Sequence, residues 1–448
     1  MAFSIPFIRG QMRRRVIIMG AAGRDFHNFN MLYRDDPAVE VVAFTASQIP
    51  FIEKRAYPPA LSGPLYPGGI PIYAEERLAE VIREYRADEA VFSYSDVSYE
   101  YVMHRASLVT SLGASFILPS PEKAMLASIR PVISVTAVRT GSGKSGVTRY
   151  IGRLLLESGR KPVVIRHPMP YGDLEKQRLQ RFAKTDDLRA HECTIEEIEE
   201  YEPLIKAGLV VYAGVDYRAI LDEAEKEGEI ILWDGGNNDL PFIKPDLEIV
   251  VADPLRPGHE LLYYPGEANL RRAHVVVINK AEGAPQASIE LVRSNVLSVN
   301  PNARILKTAS TISVEGDIKG RKALVIEDGP TLTHGGMRFG AGIVAARRFG
   351  ATPVDPRPYA IGTIKEVFSR YPDLEDLLPA MGYSDEQKRE LEETIRRTPA
   401  DIVLIATPID LSAILKIDKP SVRVSYEVAE MESPGLKEAV LDFMKGLG

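Results

Sequence analysis

A glycine-rich segment near the middle of the chain has the residue types and spacing to bind the phosphates of a nucleotide. It follows the β-like run Val132 to Ala137 and leads into a helical stretch. Glycines let backbone N–H groups converge on phosphate oxygens, and the N-terminus of the next helix adds its positive dipole end. We therefore predict a P-loop that binds ATP or GTP through Thr140, Gly141, Ser142, Gly143, Lys144, Ser145 and Gly146.

Individual roles within this loop follow from its chemistry. Lys144 would neutralise the β- and γ-phosphates, and the hydroxyl of Ser145 would ligate Mg²⁺. Val138 replaces the first glycine of the usual pattern, and Arg139 stands where the MinD-like deviant P-loop family carries a second lysine. Arg139 would either stabilise charge on the transferred phosphoryl group or be a solvated loop arginine.

Two acids at strand ends are candidates for the metal side. Asp234 follows the apolar run Ile230 to Trp233 and precedes two glycines, a position from which a carboxylate reaches the Mg²⁺ of a P-loop. The alternative is an aspartate that caps the next loop or helix. Asp253 is a weaker second carboxylate, equally consistent with a turn before Pro254.

A later segment addresses the nucleotide base. Asn279, Lys280 and Glu282 follow the apolar run Val275 to Ile278 and resemble the N-K-x-D element by which GTPases recognise guanine. Glutamate stands where aspartate is usual, so the choice between ATP and GTP stays open. A surface turn is the alternative for this segment.

Basic and acidic residues near other strand ends predict an acceptor site. Arg166 and His167 follow a predicted strand and would face the γ-phosphate, since ligands of open α/β sheets lie at the carboxyl ends of strands. Together with Lys144 and Arg139 they form our predicted catalytic set. A segment dense in acids, hydroxyls and glycines is either a substrate-binding loop or an Ω-loop, and its four predicted substrate-binding residues are Glu327, Asp328, His334 and Arg338.

The elements that must position these residues alternate between short Val- and Ile-rich runs and stretches with helical spacing, which predicts an α/β fold. We expect a Rossmann-like domain over 1–129, a P-loop NTPase domain with a mainly parallel sheet over 130–350, and a small α/β subdomain over 351–448. The turn after the first predicted strand has two glycines but no full dinucleotide fingerprint. Asp25, His27 and Asn28 there either face a ligand or belong to an ordinary βα turn.

Composition narrows the class of function. The formal net charge of −7 gives no general attraction for nucleic acid or anionic membranes. The single cysteine rules out an intramolecular disulfide, and the first eleven residues are too short for a signal peptide, so we expect a cytoplasmic protein. Abundant Lys, Arg and Glu suggest a thermophilic source. We also expect a homo-oligomer.

Three motifs together resemble one known family. The runs Gly20 to Asn30, Arg139 to Ser145 and Glu327 to Met337 are similar to those of predicted P-loop GTPases related to cyclic 2,3-diphosphoglycerate synthetase. This resemblance implies an ATP-driven closure of 2,3-bisphosphoglycerate into a cyclic phosphoanhydride.

The sequence thus predicts a Mg²⁺-dependent phosphotransferase or synthetase that acts on a small phosphorylated or acidic metabolite. A regulatory or metallochaperone-like GTPase is the alternative, indicated by the guanine-type segment and the deviant P-loop. A nucleotide sensor without catalytic activity is a third reading, in which the N-terminal domain binds a second ligand.

Overall fold

The computed structural model describes residues 13–21, 23–46, 55–167, 169, 172–333, 335–380, 384–409 and 411–447. The chain divides into two compact units. The first unit contains the residues up to Leu126 together with segments 168–179 and 214–219; the second contains segments 127–167, 180–213 and 220–448. Residues 351–448 belong to the second unit, so the boundary expected at 350 stays a prediction.

The first unit is an α/β sheet whose order is that of a Rossmann-like fold. Its strands and helices are β1 (Arg14–Met19), α1 (Arg24–Leu32), β2 (Val39–Ala46), β3 (Ala56–Tyr57), α2 (Pro59–Ser62), β4 (Ile70–Ala74), α3 (Leu78–Tyr85), β5 (Glu89–Phe92), β6 (Val97–Ser98), α4 (Tyr99–Ser111), β7 (Ser115–Ile117) and α5 (Pro121–Ala124). The sheet order is β3-β4-β2-β1-β5-β7. All pairs except β3 with β4 are parallel.

The second unit begins with the predicted P-loop elements. In chain order they are β8 (Val132–Ala137), α6 (Lys144–Glu157), β9 (Pro162–Arg166), β10 (Gln180–Phe182), α7 (Thr185–Ala190), α8 (Ile195–Lys206), β11 (Val210–Ala213), α9 (Tyr217–Glu227), β12 (Ile230–Asp234), β13 (Leu247–Ala252), α10 (His259–Leu262), β14 (Tyr263–Tyr264), α11 (Gly266–Arg272), β15 (Val275–Ile278) and α12 (Gln286–Val299).

The remainder of the second unit contains two long strands and a cluster of helices. The elements are β16 (Arg304–Val314), β17 (Lys322–Asp328), α13 (Gly329–Thr333), α14 (Ala341–Phe349), β18 (Thr352–Pro353), α15 (Gly362–Arg370), β19 (Leu378–Ala380), α16 (Asp385–Arg397), β20 (Ile402–Ala406), β21 (Ser421–Glu430) and α17 (Leu436–Lys445). Short 3₁₀ helices occupy Glu75–Arg77, Ala281–Gly283, Arg357–Tyr359 and Leu411–Ala413.

One continuous sheet runs through the second unit in the order β10-β11-β9-β12-β8-β13-β15-β16-β21-β20-β17-β18, with β19 on β17. The pairs from β11 to β16 are parallel. The strands β8, β12 and β13 are buried along their whole length, as expected for parallel strands covered on both faces. An antiparallel pair, β16 with β21, joins this half to the parallel strands β20 and β17.

The second unit has two main apolar cores. One packs Ile133, Val135 and Leu155 around the P-loop sheet. The other packs Leu324 and Leu404 of β17 and β20 against the helices that follow β17. The predicted α/β class with a mainly parallel sheet is confirmed. In the part of the chain that the structure describes, every helix is too short or too polar to cross a membrane.

Candidate nucleotide and acceptor site

The predicted P-loop has the backbone geometry of a strand, a glycine turn and a helix. β8 ends at Ala137 and α6 begins at Lys144. Gly141 and Gly143 adopt φ values of +78° and +96°, which disfavour any side chain. A Cβ on Gly143 would also collide with the side-chain amide of Asn279. Both glycines are therefore required by the turn itself.

Lys144 and Asp234 form a buried ion pair at the start of α6. The distance from Lys144 Nζ to Asp234 Oδ1 is 2.7 Å, and Thr148 Oγ1 donates to the same oxygen at 3.0 Å. Burial lowers the pKa of Lys144, and Arg166 lowers it further, although Asp234 opposes both. Asp234 thus lies beside the P-loop lysine, where a metal-side carboxylate was predicted.

Arg166 links this pair to a second acid. β9 and β12 are paired so that Arg166 lies opposite Asp234, and Arg166 Nη1 is 2.7 Å from Asp234 Oδ2. The same guanidinium pairs with Glu200 of α8. Burial alone would raise the pKa of Asp234, but Arg166 and Lys144 bring it below its ordinary value. The charge of Arg166 is therefore balanced by two carboxylates.

His167 and Arg139 are also held by neighbouring side chains. His167 Nδ1 lies 3.4 Å from Asp239 Oδ2. Arg139 Nη1 is 2.9 Å from His259 Nδ1, and its guanidinium lies 3.5 Å from the centre of the Tyr263 ring. Arg139 is only 4% exposed, so it is a packed side chain and not the solvated loop arginine considered above. Its role in phosphoryl transfer stays a prediction.

The guanine-type segment contacts the P-loop directly. Asn279 Nδ2 donates to Ser142 O at 3.0 Å, and Lys280 Nζ donates to Gly141 O at 2.5 Å. Glu282 Oε1 instead accepts from the backbone N–H of Ser310 in β16 at 3.0 Å. The asparagine and lysine therefore stabilise the loop, and the glutamate is tied to a strand.

Arg256 is a site residue that sequence reasoning missed. Its Nη2 donates to Thr140 O at 2.8 Å and to Asp253 Oδ2 at 2.8 Å. Burial would raise the pKa of Asp253, but Lys280 and Arg256 lower it. Asp253 was noticed as a strand-end acid, whereas Arg256 belongs to no recognisable motif. A basic residue three positions after that acid is the only local signal.

Loop residues after β12 also reach the P-loop. Thr140 Oγ1 donates to Asn237 Oδ1 at 2.9 Å, and Asn238 Nδ2 donates to Val138 O at 3.0 Å. Asn237 has a positive φ of 42°. The loop after the Asp234 strand is therefore hydrogen-bonded to the P-loop at Thr140 and Val138.

The two predicted substrate acids have different surroundings. Glu327 is 2% exposed and accepts from the N–H groups of Gly340 and Ile343 at 3.1 and 2.9 Å, so it caps the N-terminus of α14. Burial raises the pKa of Glu327 to about 8. Asp328 accepts from the backbone and hydroxyl of Thr331, and burial raises its pKa to about 6. Asp328, at the end of β17, thus contacts Thr331, and Thr331 lies against Gly141.

The two remaining residues predicted to bind substrate are Arg338 and His334. Arg338 is exposed, and its Nε donates to the backbone oxygen of Asp373 at 3.1 Å. His334 lies outside the described residues. Arg139, Arg166 and Arg338 each contact other protein groups in this structure, so their binding of an anionic acceptor stays a prediction.

An acidic cluster lies beside Arg166 instead, formed by Glu199, Glu200 and Asp328. Glu199 is 6% exposed, and its Oε1 has no hydrogen-bond partner among the described residues. Burial raises the pKa of Glu199, and the nearby Asp328, Glu196 and Glu200 raise it further. A ligand that brings N–H donors or positive charge would compensate this cluster.

Oxygen ligands for a magnesium ion are present at the P-loop. Ser145 is partly exposed in the first turn of α6, and Asp234 lies beside Lys144. Mg²⁺ prefers oxygen ligands and is usually bound by one or two protein groups plus substrate phosphates. Within the described ranges, no group of three or more His, Cys, Asp or Glu side chains could hold a metal ion alone. Ser145 and Asp234 fit a cation that the nucleotide phosphates complete.

Comparison with known proteins gives the family. The chain is 58% identical over 436 residues to a Thermococcus kodakarensis protein named arginine synthetase ArcE, with 97% of each chain covered. The chain belongs to the synthetase family of ArcE. A cyclic 2,3-diphosphoglycerate synthetase from Thermococcus sibiricus is 24% identical over 388 residues, 82% of each chain. The resemblance predicted from the three motifs is therefore confirmed.

No model of a known protein family matches the chain. Among solved structures, LpxK from Aquifex aeolicus in complex with ATP is 14% identical and has a TM-score of 0.42, covering 82% of this chain and 99% of its own. As a member of this synthetase family, the protein is a nucleoside-triphosphate-dependent enzyme.

Proposed function

We propose that this synthetase uses ATP to build the guanidino group of arginine from a ureido precursor, citrulline, and ammonia. The ureido oxygen attacks the γ-phosphorus and ADP leaves; ammonia then attacks the ureido carbon, and inorganic phosphate leaves with the original oxygen. Protons lost from the ammonia nitrogen pass to solvent. The name of the 58% identical relative, arginine synthetase, supports this choice of product.

The P-loop supports the phosphoryl-transfer half of this proposal. Phosphoryl transfer depends mainly on positioning and charge neutralisation. Lys144 would exchange its contact with Asp234 for the β- and γ-phosphates. Bound Mg²⁺, held by Ser145 and Asp234, would neutralise charge on the phosphate oxygens.

The segment after β15 supports ATP as the nucleotide. Recognition of guanine requires a carboxylate that accepts from the base, but Glu282 Oε1 already accepts from Ser310 N at 3.0 Å. Asn279 and Lys280 stabilise the P-loop whichever base is bound. The regulatory GTPase alternative would require Glu282 to leave β16.

The observation that carries the acceptor choice is the charge beside the P-loop. Arg166 is balanced by Asp234 and Glu200, and Glu199 is buried with an unpaired oxygen. A bisphosphorylated acceptor would find Arg166 already paired with two carboxylates, and the buried Glu199 beside it supplies an acceptor oxygen but no positive charge. A nitrogen-rich acceptor would instead donate hydrogen bonds to these carboxylates.

Cyclisation of 2,3-bisphosphoglycerate is the second candidate. It is favoured by the 24% identical relatives from Thermococcus sibiricus and Rubrobacter xylanophilus, which are named for that activity. It requires Arg139 or Arg166 to release present partners and bind phosphate. The small phosphorylated metabolite predicted from the sequence would then be the acceptor.

The test is a nucleotide-turnover assay with purified protein and Mg²⁺. ATP or GTP is offered alone, with citrulline and ammonium, or with 2,3-bisphosphoglycerate, and Lys144→Ala serves as the blank. Arginine formed in step with ADP supports the proposal. Turnover stimulated only by 2,3-bisphosphoglycerate would move the assignment to the cyclising reaction. GTP hydrolysis indifferent to both acceptors would favour the regulatory GTPase.

A further inference from the structure

Three successive backbone carbonyls of the P-loop each accept a hydrogen bond from a side chain. They belong to residues 140–142. Arg256 Nη2 lies 2.8 Å from the first oxygen, Lys280 Nζ 2.5 Å from the second, and Asn279 Nδ2 3.0 Å from the third. These donors follow β13, which pairs with β8, and β15, which is the next strand beyond β13 in the sheet. With its carbonyls held on this side, the loop can aim its N–H groups at phosphate.

Asp253 holds the two cationic donors together. Its Oδ2 lies 2.8 Å from Arg256 Nη2 and 3.3 Å from Lys280 Nζ. The side chains of Asp253 and Arg256 are only 1% and 8% exposed. A guanidinium offers five N–H donors in a rigid plane, whereas an ammonium offers three from one point. Only an arginine can therefore serve this carboxylate and two separate carbonyls with fixed geometry.

The second arm of Arg256 reaches the segment on the acceptor side. Its Nη1 donates to Gly335 O at 2.6 Å, and Gly335 follows α13. α13 itself lies against the P-loop, since a Cβ on Gly141 would come within 2.9 Å of Thr331 Cγ2. Thr331 in turn donates to Asp328 of the acidic cluster. One guanidinium thus contacts both the nucleotide loop and the segment that carries Asp328.

We propose that Arg256 is a positioning residue that couples nucleotide binding to the acceptor segment, defined as residues 328–333 and 335–337. When nucleotide fills the P-loop, Arg256 transmits the position of Thr140 O to Gly335 O and so orders Asp328 and Thr331 for the acceptor. The identity of the acceptor rests on the proposed function, but the coupling does not.

Amide hydrogen exchange tests the coupling without any acceptor. Exchange is followed over the acceptor segment of the full chain, with and without ATP and Mg²⁺. Wild type should show slower exchange there when ATP is bound. Arg256→Lys keeps a positive charge near Asp253 but loses the planar guanidinium that reaches both carbonyls, so its ATP-induced protection should fall several-fold. Arg153→Lys is the matched control, because Arg153 is an exposed arginine of the same unit that pairs with Glu427.

Turnover gives the second readout. Misplacing a reacting group by about 1 Å can cost on the order of 100-fold in rate. We expect Arg256→Lys to keep ATP affinity within about threefold and to lose roughly 10- to 100-fold in acceptor-dependent turnover. ATP hydrolysed per product formed should rise. If wild type makes no arginine, the proposed function fails while the exchange result still decides the coupling.

Two outcomes would overturn the inference. The first is unchanged ATP-induced protection in Arg256→Lys. The second is an equal loss of ATP affinity and turnover, which would make Arg256 a support of the P-loop alone. If Arg256→Lys does not fold, Asp253→Asn replaces it, since the amide has the same shape but a weaker hold on the guanidinium. The same pattern with a smaller amplitude is then expected.

Discussion

The two units each contain a strand, a glycine turn and a helix, but only one of these turns is built to bind phosphate. In the first unit, Gly23 N and Phe26 N at the start of α1 donate to Asp25 Oδ1 at 2.9 and 2.7 Å. In the second unit, the first turn of α6 has no acidic residue and begins with Lys144. The helix N-terminus is therefore occupied by the protein's own carboxylate in one case and left for a ligand in the other.

The difference shows that glycines alone do not make a phosphate site. A carboxylate at a helix N-terminus neutralises the dipole and uses the N–H groups that a phosphate would need. The P-loop also has three carbonyls held by side chains from the segments that follow β13 and β15. His27 and Asn28 are deeply buried, and burial lowers the pKa of His27 to about 3. These contacts favour the interpretation that Asp25, His27 and Asn28 belong to an ordinary βα turn.

Removing the P-loop cation should have the largest effect. Lys144→Ala removes the cation that would bind the β- and γ-phosphates and leaves Asp234 paired with Arg166 alone. Loss of one preorganised group that stabilises the transition state typically costs about 100- to 1000-fold in kcat. Initial rates of ADP formation measure this, with Lys161→Ala, an exposed lysine after α6, as the control. Turnover within threefold of wild type would show that Lys144 does not contact the reacting phosphate.

Substitutions of one glycine in each turn distinguish a role in ATP binding from a role in stability. Gly143→Ala should weaken ATP binding by at least about tenfold, because the methyl group collides with Asn279 and the φ of +96° is unfavourable. Gly20→Ala places its Cβ 2.5 Å from Asp25 Oδ2 and should lower the melting temperature without changing ATP affinity.

Gly159→Ala, after α6, is the control for strain alone, since φ is +77° and its Cβ would meet no atom within 4 Å. A positive φ costs a residue with a Cβ about 1 to 2 kcal/mol. Titration calorimetry with ATP and thermal unfolding are measured on all three variants. Weaker ATP binding in Gly20→Ala would contradict the contrast between the turns.

Local parts of this site were predictable because strand, turn and helix adjoin in the chain. Lys144 and Asp234 carry their own signals, a glycine turn and an apolar strand end. Arg256 has only its place three residues after Asp253 as a local signal, since its partners Thr140 and Gly335 are 116 and 79 residues away. Likewise, the second half of β16, which ends at Val314, is stabilised by pairing with the distant strand β21. Contacts between distant segments determine the position of Arg256 and the length of β16, and a local sequence pattern cannot predict such contacts.

The fold of the first unit was also predictable in outline, but the use of its turn was not. The alternation of Val- and Ile-rich runs with helical stretches predicted its α/β class. Whether Asp25 faced a ligand or its own backbone depended on a side-chain rotamer, which residue type does not determine. The same limit applies to Glu327, whose predicted substrate role competes with capping of α14.

The carboxylate cap of α14 should make stability depend on pH. The pKa of Glu327 is about 8 in the folded protein and near its ordinary value of 4.5 when unfolded. Between these values the folded state keeps a proton that the unfolded state releases, so this residue's contribution to stability falls as pH rises from 5 to 8. The slope is about 1 kcal/mol per pH unit.

The glutamine in Glu327→Gln cannot titrate. As pH rises from 5 to 8, the free energy of unfolding of this variant should therefore increase relative to that of wild type. Guanidinium unfolding at several pH values between 5 and 8 measures this difference. Glu290→Gln, on the exposed side of α12, is the control and should follow wild type. Parallel curves for Glu327→Gln and wild type would show that Glu327 is ionised in the folded protein.

The smallest effect is expected at the cap of α1, where the comparison is most direct. Asp25→Ala removes the acceptor for two backbone N–H groups and should cost about 1 kcal/mol, as for other helix caps. Asp25→Asn keeps an acceptor oxygen and should recover most of that loss. Chemical unfolding measures both, and ATP titration should give wild-type affinity for each. A gain of affinity for inorganic phosphate in Asp25→Ala would contradict the contrast. The first turn would then differ from the P-loop only by this carboxylate, and phosphate binding would not need the side chains that hold the P-loop carbonyls.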